Sequence, residues 1–186
     1  MTMRYVLPYI AIMKNAKPTL FTVREVAMRL TDSRRDEVID FVMRQIKHWT
    51  NNKLIRTTGT MHSGRGRSRS YAKEELIAAA YLLRLSRYGL TIGQLESFRK
   101  MYDGHIRHEA GKADLYGKVD EHGNGAYIKY YGLGEMPGKG AGFILEPRGT
   151  LETDELWYLD TGDKMMNFTD VLVINCRAVV ERLGLD

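Results

Sequence analysis

The spacing of apolar side chains in this 186-residue chain changes near residue 110. Before that point they recur every three or four residues, as in an amphipathic helix, and beyond it they alternate in short stretches, as in a β-strand. Glycine increases at the same point, from six residues in 1–110 to twelve in 111–186. The sequence therefore predicts an α+β protein. It has an N-terminal extension (1–20), a mainly helical segment (21–110), and a small α+β segment (111–186) with an antiparallel or mixed sheet and a C-terminal helix.

Two helices are predicted at the start of the helical segment. Thr22 stands three residues before Glu25, which is the pattern of a capping box, and opens the first helix. Asp32 or Ser33 is expected to cap the second helix, whose apolar residues repeat at helical spacing toward Asn52. The second helix also carries basic residues opposite its apolar side, so a basic stripe is expected on its surface.

Two more helices follow a polar stretch, RTTGTMHSGRGRSRSYA, that is interpreted as a glycine-rich hairpin because it has too few apolar residues to bury itself. The third helix is predicted over 73–88 and ends at Gly89, which suits a left-handed helix cap. Thr91 opens the fourth helix, which closes near Gly104. The hairpin thus separates two pairs of helices.

The segment beyond Gly111 has the alternation of short strands. Strands are predicted over 115–119, 126–133, 142–146 and 156–160, with DEHGNG as a hairpin turn between the first two. The run VLVI at 171–174 is interpreted as a buried strand, after which Asn175 is expected to cap a helix that runs through Leu183.

The balance of basic and acidic residues also changes near residue 110. Residues 1–110 contain 20 Lys and Arg against 10 Asp and Glu, whereas residues 111–186 contain 8 against 13. A basic surface supplies the sequence-independent part of affinity for nucleic acid, and an acidic one is repelled by phosphate. The helical segment is therefore the candidate for binding nucleic acid.

Composition predicts that the chain has neither a membrane span nor a metal or cofactor site. No apolar run is long enough to span a bilayer and no secretory leader is recognisable, so a cytoplasmic protein without a membrane role is expected. The single Cys176 and the scattered histidines do not supply the clustered ligands of a zinc site, so neither a metal nor a cofactor is expected.

Four motifs follow one another at close spacing: QIKHWTNNKLI, GRGRSRSY, EEL and YGLTIGQL. In this order they resemble the DNA-binding domain of the mercury-resistance regulator (MerR) family over roughly residues 20–103, which implies a winged helix-turn-helix. The matching positions are Ile46, Lys47, His48 and Trp49 in the recognition helix, Leu54 and Ile55 after it, Arg69 and Tyr71 at the end of the wing, and Gly89, Leu90 and Thr91 between the later helices. Two differences are Lys53, where the family usually has glycine, and about nine extra residues before Ile46.

A helix fits the major groove of double-stranded DNA, and an arginine-rich ribbon can follow the backbone or enter the minor groove. The candidate DNA-contacting residues are Thr22, Arg24, Arg34, Arg35, Arg44, Lys47 and His48 in the helical part, and Arg65, Arg67, Arg69 and Tyr71 in the wing. Trp49 is predicted to lie in the core, and Tyr71 to pack too. The resemblance implies that Tyr71 anchors the wing, and it leaves open whether the hydroxyl also reaches a phosphate. A solvated loop or an RNA-binding arginine tract is the alternative interpretation of RGRSR.

These features predict a sequence-specific transcription regulator rather than an enzyme, acting as a homodimer because one helix and wing read only a half-site. The acidic segment is assigned to dimerisation, to an effector, or to a protein partner such as RNA polymerase. An excisionase-like or phage or plasmid accessory factor without a sensing role is the alternative. A small enzyme in 111–186 is a third hypothesis, which is disfavoured because GLGEMPGKGAG departs from the phosphate-binding P-loop pattern at Gly140 and Ala141.

Overall fold

The computed structural model describes residues 19–31, 33–58, 69–108, 112, 115–118, 125–131, 142–146, 158–160, 165–167 and 171–185. These residues form a mixed α+β structure of helices and small antiparallel sheets. The helices are α1 (Val23–Leu30), α2 (Asp36–Asn51), α3 (Lys73–Arg87), α4 (Ile92–Ile106) and α5 (Cys176–Glu181). The strands are β1 (Phe21–Thr22), β2 (Ser70–Tyr71), β3 (Tyr127–Tyr131), β4 (Gly142–Glu146), β5 (Tyr158–Asp160), β6 (Met165–Asn167) and β7 (Val171–Asn175).

The predicted capping residues of three helices are confirmed. Thr22 and Glu25 form a reciprocal capping box at the start of α1. Thr91 opens α4 in the same way, and its backbone N–H donates to the side chain of Gln94 at 2.7 Å. Asn175 accepts a hydrogen bond from the N–H of Ala178 and so caps α5. Each cap satisfies a backbone donor that the first turn of a helix leaves without a partner.

The predicted start of α2 is wrong. The helix begins at Asp36 after Arg35, which makes no side-chain capping bond. The Ser33 hydroxyl accepts a hydrogen bond from the Arg35 N–H at 3.2 Å, so it shapes the turn before the helix instead of capping it. The other predicted cap, Asp32, lies outside the described residues.

The main sheet has the order β4–β3–β7, and all its pairings are antiparallel. Ile128 in the central strand pairs with Leu145 on one side and Ile174 on the other. The predicted strand over 115–119 is wrong. The N–H of Tyr116 donates to the carbonyl of Lys112 in a helical turn, and Gly117 follows with φ +75°. Both edges of β3 are occupied by β4 and β7, so the predicted hairpin between 115–119 and β3 does not form.

Described residues on both sides of residue 110 pack into one hydrophobic core. The Phe98 ring of α4 meets the Phe143 ring of β4 edge-on, with centroids 5.4 Å apart. The Tyr81 hydroxyl of α3 donates to the carbonyl of Leu115 at 2.9 Å, and burial raises the pKa of this tyrosine well above its usual range. The domain boundary near residue 110 stays a prediction, while the packing joins α3 and α4 to the main sheet and to the 115–118 turn.

Candidate nucleic-acid interface

The last two turns of α2 carry a basic, exposed surface. Arg44, Lys47 and His48 are exposed on one side of the helix, while Ile46 and Trp49 are buried on the other. Neither Arg44 nor Lys47 forms an ion pair with any residue that the structure describes. The core position predicted for Trp49 is confirmed, since 1% of this residue is exposed. The helix therefore holds these cations in place and leaves their charges available to a partner.

The first turns of α2 differ from the predicted basic stripe. Asp36, Glu37 and Asp40 are all exposed there, so the acidic half of the helix precedes its basic half. Arg24 of α1 lies 2.8 Å from Asp36 and forms an exposed ion pair with it. Arg34 and Arg35 are exposed in the turn before the helix. The start of α2 therefore presents an acidic surface, and the basic residues Arg34 and Arg35 lie in the turn before it.

The C-terminal end of the predicted wing lies beside the last turn of α2. Both terminal nitrogens of the Arg69 guanidinium are 3.4 Å from the side-chain oxygen of Asn51. Ser70 pairs with Thr22 in β1 and also forms a bridge with Thr58. Arg65 and Arg67 lie outside the described residues. The structure therefore brings Arg69 to the same exposed surface as the basic half of α2.

Asn51 belongs to this surface, although it is not among the residues predicted from the sequence. It lies seven residues after Arg44 and four after Lys47, which places all three on one side of α2. That spacing is the signal that could have identified it. We call Arg44, Lys47, His48, Asn51 and Arg69 the basic surface.

Two of the predicted contact residues have structural roles. Tyr71 is fully buried, and its hydroxyl lies 3.1 Å from the Thr50 hydroxyl. Because Thr50 donates its only hydroxyl proton to the carbonyl of Ile46, the Tyr71 hydroxyl donates to Thr50. A buried hydroxyl with this partner is not available to a phosphate, so the packing role of Tyr71 replaces the phosphate contact. Thr22 is half-buried, and its hydroxyl accepts the capping bond of α1.

We expect Tyr71→Phe to lower the free energy of unfolding by about 1 kcal/mol, the contribution of one buried hydrogen bond, and to leave affinity for a DNA duplex unchanged. Urea unfolding measures the first quantity and fluorescence anisotropy with a labelled duplex measures the second. A phosphate contact would give the opposite pattern. Affinity would fall, and the dependence of log K on log salt concentration would become less steep by about one unit.

The second residue after α2 adopts a conformation that favours glycine. Lys53 has φ +61°, and the N–H groups of Lys53 and Leu54 donate to the carbonyls of Thr50 and Trp49. This pattern is the Schellman motif that ends many helices. Gly89 ends α3 with the same pattern at φ +83°, as the sequence predicts. Lys53 therefore occupies a left-handed position that glycine would adopt without strain.

Lys53→Gly is expected to raise the free energy of unfolding by about 0.5 to 1 kcal/mol, because relief of left-handed strain exceeds the added entropy of the unfolded chain. Urea unfolding gives the value. Lys53→Ala is the control, since it removes the charge and retains the β-carbon, and it should change stability little. A loss of stability in Lys53→Gly would show that the lysine side chain, and not the backbone, determines stability at this position.

A buried charge network holds the chain that follows α2. Arg99 of α4 forms two hydrogen bonds to the Glu75 carboxylate of α3, at 2.6 and 3.0 Å, and its Nε lies 2.9 Å from a carboxylate oxygen of Asp103. Arg56 joins both carboxylates, because its N–H donates to Glu75 at 2.8 Å and its guanidinium pairs with Asp103. This network connects the chain just after α2 to α3 and α4, and so fixes the chain that precedes the predicted wing.

Neither a metal site nor a membrane-spanning helix is found among the described residues. The described residues contain no group of three or more His, Cys, Asp or Glu side chains that could hold a metal ion. In the same part of the chain, no helix has both the length and the apolar character needed to cross a membrane. No protein-family model matches the chain, and no curated protein is similar enough in sequence to count as a relative. The basic surface is therefore the candidate site that the geometry itself supports.

Proposed function

We propose that residues 21–103 form a winged helix-turn-helix that binds double-stranded DNA through the basic surface. The observation that carries the proposal is the contact between Arg69 and Asn51, which brings the C-terminal end of the predicted wing next to the exposed last turn of α2. The order of the elements also supports it, since α1 and α2 precede the β2 strand of the wing, and α3 and α4 follow it.

The charge pattern of α2 favours one orientation on DNA. Phosphates attract Arg44 and Lys47 and repel Glu37 and Asp40, so the C-terminal half of the helix approaches the duplex more closely than the N-terminal half. Arginine can donate two hydrogen bonds to the O6 and N7 atoms of guanine in the major groove. Arg69 lies at the edge of the surface, where contact with the phosphate backbone fixes the orientation of the protein.

The regulatory role belongs to the same proposal and rests on the MerR-like motifs. One helix and one wing cover a single half-site, so a symmetric operator requires two copies of the chain. The acidic segment after residue 110 is repelled by phosphate and is therefore free to contact a second copy or another protein. Bound sites upstream of promoters, mapped across a genome, would support a role in transcription. Sites confined to attachment or replication regions would instead support the accessory-factor alternative.

Arg44→Ala is expected to weaken binding to the preferred duplex by about 1 to 3 kcal/mol and to reduce discrimination between duplex sequences. Arg67→Ala should weaken binding to all duplexes similarly and reduce the salt dependence by about one unit. The preferred duplex is first selected from a random pool, and affinities are then measured by anisotropy at several salt concentrations.

Arg177→Ala provides the control for charge, because Arg177 is exposed on α5, outside the basic surface. It removes the same single positive charge and should leave affinity nearly unchanged. Equal losses of affinity in Arg44→Ala and Arg177→Ala would contradict the proposal, since binding would then follow net charge alone. Failure of the intact protein to bind any duplex at low salt would also contradict it.

A further inference from the structure

An exposed phenylalanine lies on the side of α2 that carries the basic surface. Phe41 is 52% exposed, and it is the one apolar residue of α2 that is exposed in this fully described helix. Its neighbours Ile39 and Val42 are buried in the core. Phe41 therefore contributes little to the core and presents its ring to solvent or to a partner.

The spacing of an α-helix aligns Phe41 with two members of the basic surface. Arg44 follows it by three residues and His48 by seven, and both are exposed. With about 100° of rotation per residue, Phe41 lies about 60° around the helix from Arg44 and about 20° from His48. Along the helix axis, Phe41 and Arg44 are about 4.5 Å apart. A partner that contacts Arg44 and His48 on this side of α2 therefore also faces Phe41.

Phe41 lies where the acidic and basic halves of this exposed side meet. Glu37 and Asp40 precede it, and Arg44 follows it. Phosphates repel the two carboxylates and attract the guanidinium, but they neither attract nor repel an uncharged ring. Counted from the start of α2, Phe41 is therefore the first residue on the exposed side that phosphate repulsion does not keep away from DNA.

The major groove offers one apolar group that an exposed ring can cover. Base edges there present hydrogen-bond donors and acceptors, and thymine alone adds a C5-methyl group. Contact between the Phe41 ring and this methyl group removes apolar surface of both from water, which is favourable. Of the four bases, thymine is therefore the complement of Phe41.

We propose that Phe41 is a specificity-determining residue that contacts the C5-methyl group of a thymine in the major groove. The inference rests on the proposed function, and it names a base that the bound sequence contains. Successive base pairs are about 3.4 Å apart, and Phe41 and Arg44 are about 4.5 Å apart along the helix. The thymine therefore lies about one or two base pairs from the guanine that Arg44 contacts.

The test replaces thymine by uracil, which lacks only this methyl group. The preferred duplex is selected from a random pool with the full chain, and each of its thymines is then replaced singly. We expect one replacement to weaken binding about fourfold, the effect of leaving one methyl group uncovered. This thymine should lie close to the guanine read by Arg44. That guanine is the one whose replacement by 7-deazaguanine weakens binding of the unaltered protein but not of Arg44→Ala.

Phe41→Ala should bind the thymine and uracil duplexes with equal affinity. The variant is expected to fold, because the ring is exposed and alanine is a better helix former. Tyr88→Ala is the control, since it removes an aromatic side chain that is 63% exposed at the end of α3, outside the basic surface. It should keep the fourfold difference between the two duplexes.

Two results would overturn the inference and leave the proposed function intact. One is that uracil has no effect at any position near the Arg44 guanine. The other is that Phe41→Ala keeps the fourfold difference, which would assign the ring to another contact, such as one between two copies of the chain. Failure of the unaltered protein to bind any duplex at low salt would overturn the inference and the proposed function together.

Discussion

Replacing Glu75 with alanine should lower the free energy of unfolding by about 3 kcal/mol, one of the largest losses expected from a single change in this protein. The loss is large because Arg99, the buried partner of Glu75, remains in place. The Arg99 side chain is 7% exposed, and Glu75 accepts two of its hydrogen bonds. Without Glu75, the buried guanidinium keeps Asp103, which it shares with Arg56, and the face of the Tyr102 ring, 5.2 Å away. Removal of one partner from a buried pair typically costs 3–5 kcal/mol, and the remaining Asp103 places this case at the lower end.

The matched control for this change is Glu74→Ala. Glu74 and Glu75 both lie in the first turn of α3, so replacing either one with alanine removes one negative charge from the same helix N-terminus. Glu74 is exposed, however, and forms no ion pair with a described residue. We expect its replacement to cost less than about 1 kcal/mol. If urea unfolding gave the two variants similar stability, the cost would come from the helix terminus and the buried network would contribute little.

If the proposed function is correct, the Glu75 network also affects DNA binding through the predicted wing. Arg56 connects the network to the chain that precedes this segment, and Arg69 follows the segment beside Asn51. A folded Glu75→Ala variant should therefore bind DNA more weakly under conditions where it remains fully folded, with the same sequence preference as the unaltered protein. Such a result would separate positioning of the predicted wing from the base recognition proposed for Arg44.

Local sequence signals predicted most of the helices because their physical causes are local. A capping box requires two residues three positions apart, and the apolar spacing of a helix repeats within a few turns, so Thr22, Thr91 and Asn175 could each be identified without a fold. The end of α3 at Gly89 could be predicted for the same reason. The predicted strand over 115–119 failed because its alternation of apolar residues is too short to distinguish a strand from a turn, and Gly117 adopts a left-handed conformation there.

The candidate site could be predicted only in part. Arg44, Lys47 and His48 share one side of a helix, which periodicity alone indicates. The pairing of Arg99 with Glu75 spans 24 positions and depends on how α3 packs against α4, which no local pattern encodes. Burial of the Tyr71 hydroxyl depends on α2 and β2 in the same way. Tertiary packing therefore determines which of these polar residues lie on the surface and which form hydrogen bonds in the interior.

Gly117→Ala is the second change with a large expected effect. Gly117 has φ +75°, and an added β-carbon would lie 2.8 Å from the Cα of Arg177 and 3.2 Å from the Cβ of Val180. The first atom belongs to the backbone of α5 and cannot rotate away. Left-handed strain costs about 1 kcal/mol and forced separation of packed elements a further 1–3 kcal/mol, so we expect a total loss of about 2–4 kcal/mol. Urea unfolding measures the loss, and amide exchange should show that α5 loses protection.

Gly89→Ala separates the two contributions. Gly89 has a similar left-handed conformation, φ +83°, but an added β-carbon there would meet no atom within 4 Å. Its replacement should therefore cost only the conformational strain, about 1 kcal/mol. The difference between the two variants then measures how tightly the 115–118 turn is held against α5. If the two losses were equal, α5 would move aside at little cost, and the close approach of the two backbones would contribute nothing to holding the C-terminal helix in place.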